Sequence, residues 1–568
     1  MKKSKMIPYY RCFFRNNTGD FVLGLLAIMG ESACMIGLVW LIQQLLDACT
    51  GAPGALSFQR LAVISAGMLA GYLGAMQLDR VSTSRFIPRA MARYKSFLFS
   101  RISGKSIAAF RRENTAVYLS AISNDTKTIQ MGLGNLFNLP NSLLRMTAAV
   151  GLMLWYSPLM TLGALGIGGG FFLLSMPTSR RLVEAEQELS DCNEGVTARF
   201  KDFLSGFPVV KSFQAEQEMG ALFRADVEKS AGADRKRRMA DMMFVLTIDG
   251  GLAAARVVIL LTGVWLAISG QGVSAGMVVA FVQLLDHVVA PVQELPLQLA
   301  DLRAACALIA KAADNLEQNI RDEGADIPPQ LRSGVALRGL CFGYEPEKPV
   351  LHGITHTFEA GKRYALVGGS GCGKSTLLQL LMGGSSYEGS ICIDGQELQG
   401  VSSRSLYEMA ALISQNVFLF NATILDNITM FRTFPPEEVE RAVGLSGLAR
   451  VIAEKGQDFL CGENGCNLSG GEKQRISIAR SLLRKSSLLL VDEATSSLDA
   501  ETAAQVSQSL LDLEGVTEVV VTHRLDAQQL RQYDEIIAMR SGALAETGSF
   551  DGLMAKKGYF YSLYTVSQ

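Results

Sequence analysis

None of the ten cysteines forms a CxxC pair. The nearest two, Cys461 and Cys466, lack a second cysteine pair and a nearby histidine, which excludes a zinc ribbon or finger. Reduced thiols in membrane and cytosol are expected. Net charge is also scarce: 53 Lys and Arg against 54 Asp and Glu leave −1. No field for a polyanion follows from that balance, and no nucleic-acid partner is expected. The basic MKKSK start is separated from the first apolar run by a polar stretch through Asp20. Without a short apolar core and small-residue cleavage site, neither a signal peptide nor a transit peptide is expected. Nor is a protease-like domain expected ahead of the apolar part.

Apolar side chains are plentiful. Hydrophobic residues make up 49% of the 568, and the mean hydropathy is +0.22. Both are high for a soluble chain, and the length calls for more than one domain. The first half carries apolar runs at Phe21–Leu46, Leu61–Leu78, Met146–Pro177, about Met243–Ser269 and about Val273–Leu299. Each is long enough for a bilayer core of about 30 Å.

The third run is interrupted by Tyr156-Ser157-Pro158 and fits either one tilted span or a hairpin of two. Lys95, Arg101, Lys105, Arg111 and Arg112 precede it, and Arg180 and Arg181 follow. Basic clusters mark the cytoplasmic side, so the chain crosses an even number of times between them. Two spans result, turning at Ser157-Pro158, the first starting near Pro140 and carrying Arg145. Lys2, Lys3, Lys5, Arg11 and Arg15 place the N-terminus inside, and Arg235–Arg238 lie inside before the fifth span. The outer connections Thr50–Ser57 and Gly270–Gly272 carry no charge. Six crossings are expected, with both ends cytoplasmic, in a bacterial inner or other plasma membrane.

The cytoplasmic connections, roughly Arg80–Leu139 and Arg180–Asp241, mix apolar and charged residues at helical spacing and should continue as helices beyond the bilayer. Glu31, Arg145, Asp249, Arg256, Asp286 and His287 fall within or beside the spans. At about 1.5 Å per residue, Arg145, Arg256 and Asp286 come near mid-membrane. Asp249 and Arg256 share a helix face. Such groups either pair with one another or line a substrate cavity. Gly168-Gly169-Gly170 suggests close helix packing or a kink.

After Leu299 the chain is charged and helical to about Asn319. The domain boundaries are expected at 1–319, a linker at 320–333 containing Pro328-Pro329, and an α/β domain at 334–568. The apolar strand Tyr364–Val367 runs into Gly368-Gly369-Ser370-Gly371-Cys372-Gly373-Lys374-Ser375, which fits GxxxxGK[ST]. Glycines let backbone N–H groups wrap phosphates, Lys374 neutralises them, the Ser375 hydroxyl suits Mg²⁺, and the helix from Thr376 presents its N-terminus to the anion. Ser487–Glu493 is an apolar strand ending in two carboxylates. Asp492 there can hold Mg²⁺ and Glu493 can polarise a water.

Asn467-Leu468-Ser469-Gly470-Gly471-Glu472 resembles the ABC ATPase signature, LSGGQ in its commonest form, and stands at that family's spacing from the phosphate loop and Asp492. Gln415 in Ser414-Gln415-Asn416 resembles the Q-loop, Ser496-Ser497-Leu498-Asp499 the D-loop, His523 the switch histidine, and Tyr344 the aromatic residue that stacks on adenine. With six spans ahead of it, the chain resembles one half of an exporter-type ABC transporter.

The resemblance implies an all-α six-helix transmembrane domain followed by an α/β P-loop ATPase, with ATP and Mg²⁺. It implies Glu493 as general base with His523 and Gln415 beside it, and Mg²⁺ at Ser375, Gln415 and Asp492. Tyr344, the loop through Thr376, Ser469, Gly470, Gly471, Glu472 and Asp499 would meet the nucleotide. ATP would lie between the phosphate loop of one chain and the signature of another. A second half-transporter is therefore expected, identical or different, besides membrane lipid and an unidentified substrate. Contacts between membrane and ATPase parts are expected near Asn124–Gln130 and Phe203–Val210. The chain departs from the family at Glu472, at Cys372 inside the phosphate loop, and at Gly462–Gly465 before the signature. The implied function is ATP-driven export of a small molecule, lipid or peptide by alternating access. Import of a metal-siderophore and an ATP-gated channel or sensor are the alternatives.

Overall fold

The computed structural model describes residues 2–52, 56–111, 115–270, 272–317, 324–345, 348–494 and 498–567. Ser496 and Ser497 of the expected D-loop, residues 320–323 of the expected linker and parts of both outer connections lie outside them. The chain forms two compact units: Met1–Phe99 with Ala116–Asn315, and Ser100–Thr115 with Leu316–Gln568.

Among the described residues, the regular elements of the first half of the sequence are helices: α1 (Lys2–Phe14), α2 (Thr18–Thr50), α3 (Phe58–Ser103), α4 (Ile107–Arg111), α5 (Thr115–Ile122), α6 (Asn124–Tyr156), α7 (Pro158–Ser205), α8 (Phe207–Ser212), α9 (Glu216–Ile268) and α10 (Ala275–Glu317). Among the described residues, five of these (α2, α3, α7, α9 and α10) are long and apolar enough to cross a membrane. The sixth expected crossing is the end of α6, whose apolar character is diluted by Pro140, Asn141 and Arg145. The Met146–Pro177 run is two helices. α6 stops at Tyr156, and Ser157 caps α7 by accepting from the Met160 N–H, with Pro158 in the first turn where a missing N–H costs nothing. The long helices outrun the bilayer: α9 has 53 residues, about 80 Å at 1.5 Å per residue.

Large apolar side chains on these helices stand open, with Trp155 85% and Ile268 82% exposed. In lipid such surface needs no burial, and packing rather than hydrophobicity joins the helices. Val39, Met153, Ile259, Phe281 and Leu284 form the packed interior. The glycines that permit close approach are not the expected triplet. A Cβ at Gly168, Gly169 or Gly170 meets nothing within 4 Å, whereas one at Gly251 would lie 2.4 Å from Phe171 and one at Gly132 2.4 Å from Ala305.

The second unit is built on β1 (Gly334–Glu345), β2 (Lys348–Glu359), β3 (Arg363–Gly368), β4 (Glu388–Ile393), β5 (Gln396–Glu397), β6 (Ala410–Ile413), β7 (Leu488–Asp492), β8 (Thr517–Val521), β9 (Glu535–Arg540) and β10 (Ala543–Gly548). Four strands form one sheet in the order β2-β1-β4-β5, and six form the other in the order β10-β9-β3-β8-β7-β6. In the six-stranded sheet β6, β7, β8, β3 and β9 run parallel. Covered on both faces, its central strands are unbroken apolar runs such as Tyr364–Val367 and Leu488–Val491.

The segment Ser100–Thr115 belongs to this second unit, where the Ile107 N–H donates to the Tyr407 hydroxyl at 3.4 Å. That segment is a part of the first cytoplasmic connection that groups with the α/β domain. Asn124–Gln130 opens α6.

Glu518 on β8 is fully buried, and neither carboxyl oxygen has a hydrogen-bond partner. Burial pushes its pKa up to about 8, against the pull of Arg363, its neighbour on β3. The folded state therefore holds a proton that the unfolded chain releases from about pH 4.3, so stability falls as pH rises between there and pH 8. Glu518→Gln is expected to flatten the fall of melting temperature across that window, measured by thermal unfolding of the purified protein. An unchanged slope would contradict the assignment.

Candidate active site

The parallel strands β3, β6, β7 and β8 all end on one edge of the sheet, where open α/β sheets place ligands. From β3 the chain enters the loop Gly368–Gly373 and then the helix Lys374–Leu381. Gly368 has φ +155, and a Cβ there would lie 2.3 Å from the Met539 carbonyl oxygen. Gly373 has φ +100, and its Cβ would lie 2.6 Å from Leu351. No other residue closes this loop without a shift. A Cβ at Gly369 or Gly371 would meet nothing within 4 Å.

Lys374 is buried, and its Nζ donates to the carbonyl oxygens of Gly368 at 2.9 Å and Gly369 at 3.0 Å. Cys372 is buried as well, its sulfur 3.8 Å from that ammonium. The Ser375 hydroxyl donates to Asp492 Oδ1 at 3.0 Å. Burial raises the Asp492 pKa and nearby Glu493 adds to this, while the Ser375 bond opposes them. Tyr344 is 64% exposed. Its hydroxyl lies 3.2 Å from Thr376 Oγ1, and its ring stands edge-on to Phe342.

Glu493 follows β7 with φ +51, a left-handed conformation uncommon outside glycine. Its carboxylate joins two other strand ends: His523 Nε2 lies 2.7 Å from Oε1, and Gln415 Nε2 donates to Oε2 at 2.7 Å. Glu493 thus contacts both of the residues expected beside it, His523 and Gln415.

Ser469 caps the helix Gly470–Leu483. Its Oγ accepts from the Glu472 N–H at 3.3 Å while the Glu472 carboxylate accepts from the Ser469 N–H at 2.7 Å, a reciprocal capping box. Glu472 therefore engages the backbone of the serine. Gly470 and Gly471 occupy the first turn, where N–H groups have no intrahelical acceptor. Asp499 caps the helix Ala500–Leu511 through the Thr502 N–H at 2.9 Å. Among the described residues, no hydrogen bond joins Ser469–Gly471 to the loop Gly368–Ser375. Sequence reading passed over Lys455, whose Nζ lies 3.0 Å from Glu472 Oε1; an acid in place of the usual glutamine was the available signal.

In the membrane unit, Arg256 pairs with Asp286 at 2.6 Å, not with Asp249 on its own helix. Arg145 pairs with Glu294 at 3.7 Å. Glu294, which the sequence reading did not single out, also accepts from the Ser142 hydroxyl at 3.0 Å, and Gln298 donates to that same hydroxyl at 3.2 Å.

Known families match both halves. Residues 21–292 match the family described as ABC transporter transmembrane region, and residues 351–496 match the family described as ABC transporter. An ABC transporter ATP-binding protein of Sinorhizobium fredii, itself uncharacterised, is 31% identical over 73% of this chain and 72% of its own length. This chain is an ABC transporter.

An ATP-dependent lipid A-core flippase of Salmonella typhimurium is 29% identical over 83% of this chain and 82% of its own length. The structure of a bacterial Atm1-family ABC exporter with ATP bound superposes with a TM-score of 0.82 at 26% identity, covering 97% of this chain and 98% of that one. This ABC transporter is accordingly a multi-pass membrane protein with a cytoplasmic ATPase domain that couples ATP hydrolysis to transport. It carries one transmembrane and one ATPase domain, and this half-transporter architecture implies a dimer.

Glu493→Gln keeps the shape of the carboxylate site but removes its basicity. The variant is expected to bind a fluorescent ATP analogue normally and to lose at least about 100-fold in ATP turnover, measured by phosphate release. Turnover at the wild-type rate would contradict the placement of Glu493 as base.

Proposed function

We propose that two copies of this chain form a symmetric homodimer that exports its substrate, with two equivalent ATP sites each shared between the copies. The supporting observation is that one chain contains every part of such a site. Lys374, Ser375, Asp492, Glu493 and His523 form one side, and Ser469, Gly470, Gly471 and Asp499 supply the other. Neither side is degenerate, so no second kind of chain is needed to complete it.

On this reading the phosphate loop and the Lys374 ammonium grip the nucleotide phosphates, and Tyr344 stacks on the base. Ser375 and Asp492 already bring a hydroxyl and a carboxylate oxygen together, and hard oxygen donors of this kind fit Mg²⁺. Gln415, with its amide nitrogen on Glu493, has its oxygen left for the same ion. Mg²⁺ there would offset the charge on the transferring phosphoryl group. Glu493 takes the proton of the attacking water, held in place by His523 and Gln415. The partner's signature helix closes over the terminal phosphate with its N-terminal N–H groups.

Closure reaches the membrane helices through short apolar segments. Phe207 and Val209 of α8 are 45% and 59% exposed. On the ATPase domain Phe418, Phe420 and Phe431 form an exposed edge-to-face series with centroids 5.2 and 5.6 Å apart. These are the surfaces that a second copy would cover. The membrane ion pairs Arg256–Asp286 and Arg145–Glu294 each carry both signs, so they favour no sign of cargo charge. Export is supported by the exporter and flippase named above.

The chain expressed alone is expected to purify as a particle of two copies, by light scattering, that hydrolyses ATP. An inactive monomer would overturn the homodimer. Inside-out vesicles given ATP and cell extract should accumulate the cargo, read by untargeted mass spectrometry. ATP-dependent loss from preloaded vesicles would indicate import instead.

A further inference from the structure

The signature of this chain ends in an acid where charge matters. On the reading above, the N-terminus of the helix Gly470–Leu483 faces the terminal phosphate bound by the other copy, and an unscreened carboxylate in that first turn repels it.

The structure answers the charge locally. Lys455 Nζ lies 3.0 Å from Glu472 Oε1 and 3.1 Å from Oε2, while the Ser469 N–H donates to Oε2 at 2.7 Å. The pair is largely removed from water, with side-chain exposures of 27% for Lys455 and 14% for Glu472. Among the described residues, Glu472 has no other ion-pair partner. Burial works to raise its pKa, but these bonds and the ammonium hold it below the usual carboxylate range, so it stays charged and tied.

The lysine is itself held in place. It is the last residue of the helix Ala449–Lys455, where a cation suits the helix dipole. The chain then turns away at Gly456 with φ +87, and the ammonium lies 5.1 Å from the centroid of the Phe459 ring.

We propose that Lys455 is a positioning residue for ATP hydrolysis. By neutralising Glu472 and fixing it against the Ser469 backbone, it lets the Ser469 hydroxyl and the Gly470 and Gly471 N–H groups donate to the phosphate held by the partner. It does so without touching nucleotide. This inference rests on the shared-site reading.

A double-mutant cycle on the full-length protein tests it, with KM and kcat for ATP as readouts. Lys455→Met is expected to raise KM about tenfold, with kcat changed less. Lys455→Arg, which keeps the charge, should stay within about twofold of wild type. In the Glu472→Gln background, where no acid needs neutralising, Lys455→Met should raise KM by less than about twofold. An equal loss in both backgrounds would show that the lysine acts structurally or as a general positive charge, and would overturn the proposal. So would an unchanged KM in Lys455→Met alone. Wild-type protein that does not hydrolyse ATP would overturn the underlying reading and the proposal together.

Discussion

One carboxylate ties the ATPase domain together. Glu493 stands 2.7 Å from His523 and 2.7 Å from Gln415, and each of the three follows a different parallel strand. The contact exists only because β6, β7 and β8 lie side by side and end on the same edge. That arrangement depends in turn on apolar strands buried on both faces. Next to it, on β3, the glycine loop closes because Gly368 and Gly373 lack a Cβ. The same edge therefore brings together a phosphate cradle, a hydroxyl–carboxylate pair and a supported base. A slip of one strand by a single residue would turn these side chains away from one another.

The membrane half follows a different solvent rule. Its helices leave Trp155 and Ile268 open because lipid is as apolar as they are. Close approach is confined to a few places such as Gly251 against Phe171 and Gly132 against Ala305. Two ion pairs within the spans, Arg256–Asp286 and Arg145–Glu294, each join different helices, which lowers the cost of those charges in a low-dielectric setting. α7 and α9 continue far past the bilayer thickness, so a movement at their cytoplasmic ends is transmitted along continuous helix.

Much of this was legible in the sequence, for physical reasons. The apolar run with Tyr156-Ser157-Pro158 inside it resolved into two helices because charge balance forbade a single crossing, and Pro158 starts a helix more readily than it continues one. The phosphate loop, Glu493 and His523 were readable because each closely follows an apolar strand, and Gln415 through its resemblance to the Q-loop. Other features were not readable. The lack of contact at Gly168–Gly170 depends on which helix faces are partnered, and small residues alone do not report that. The pairing of Arg256 with Asp286 in preference to Asp249 depends on helix rotation. The role of Ser100–Thr115 was missed because five-residue helices such as Ile107–Arg111 carry no periodic signal. Lys455 is 17 residues from Glu472, and the turns between them, at Gly456 and at Gly462–Gly465, leave no local sequence signal of the pair.

The central claim is that each nucleotide is held by two copies at once. Native mass spectrometry of the Glu493→Gln protein with ATP and Mg²⁺ tests it directly. The account predicts a dimer carrying two nucleotides, and predicts that adding Ser469→Arg expels both although the loop around Lys374 is untouched. Retention of both nucleotides by that second variant, or a monomer that holds ATP as tightly as the dimer, would contradict it.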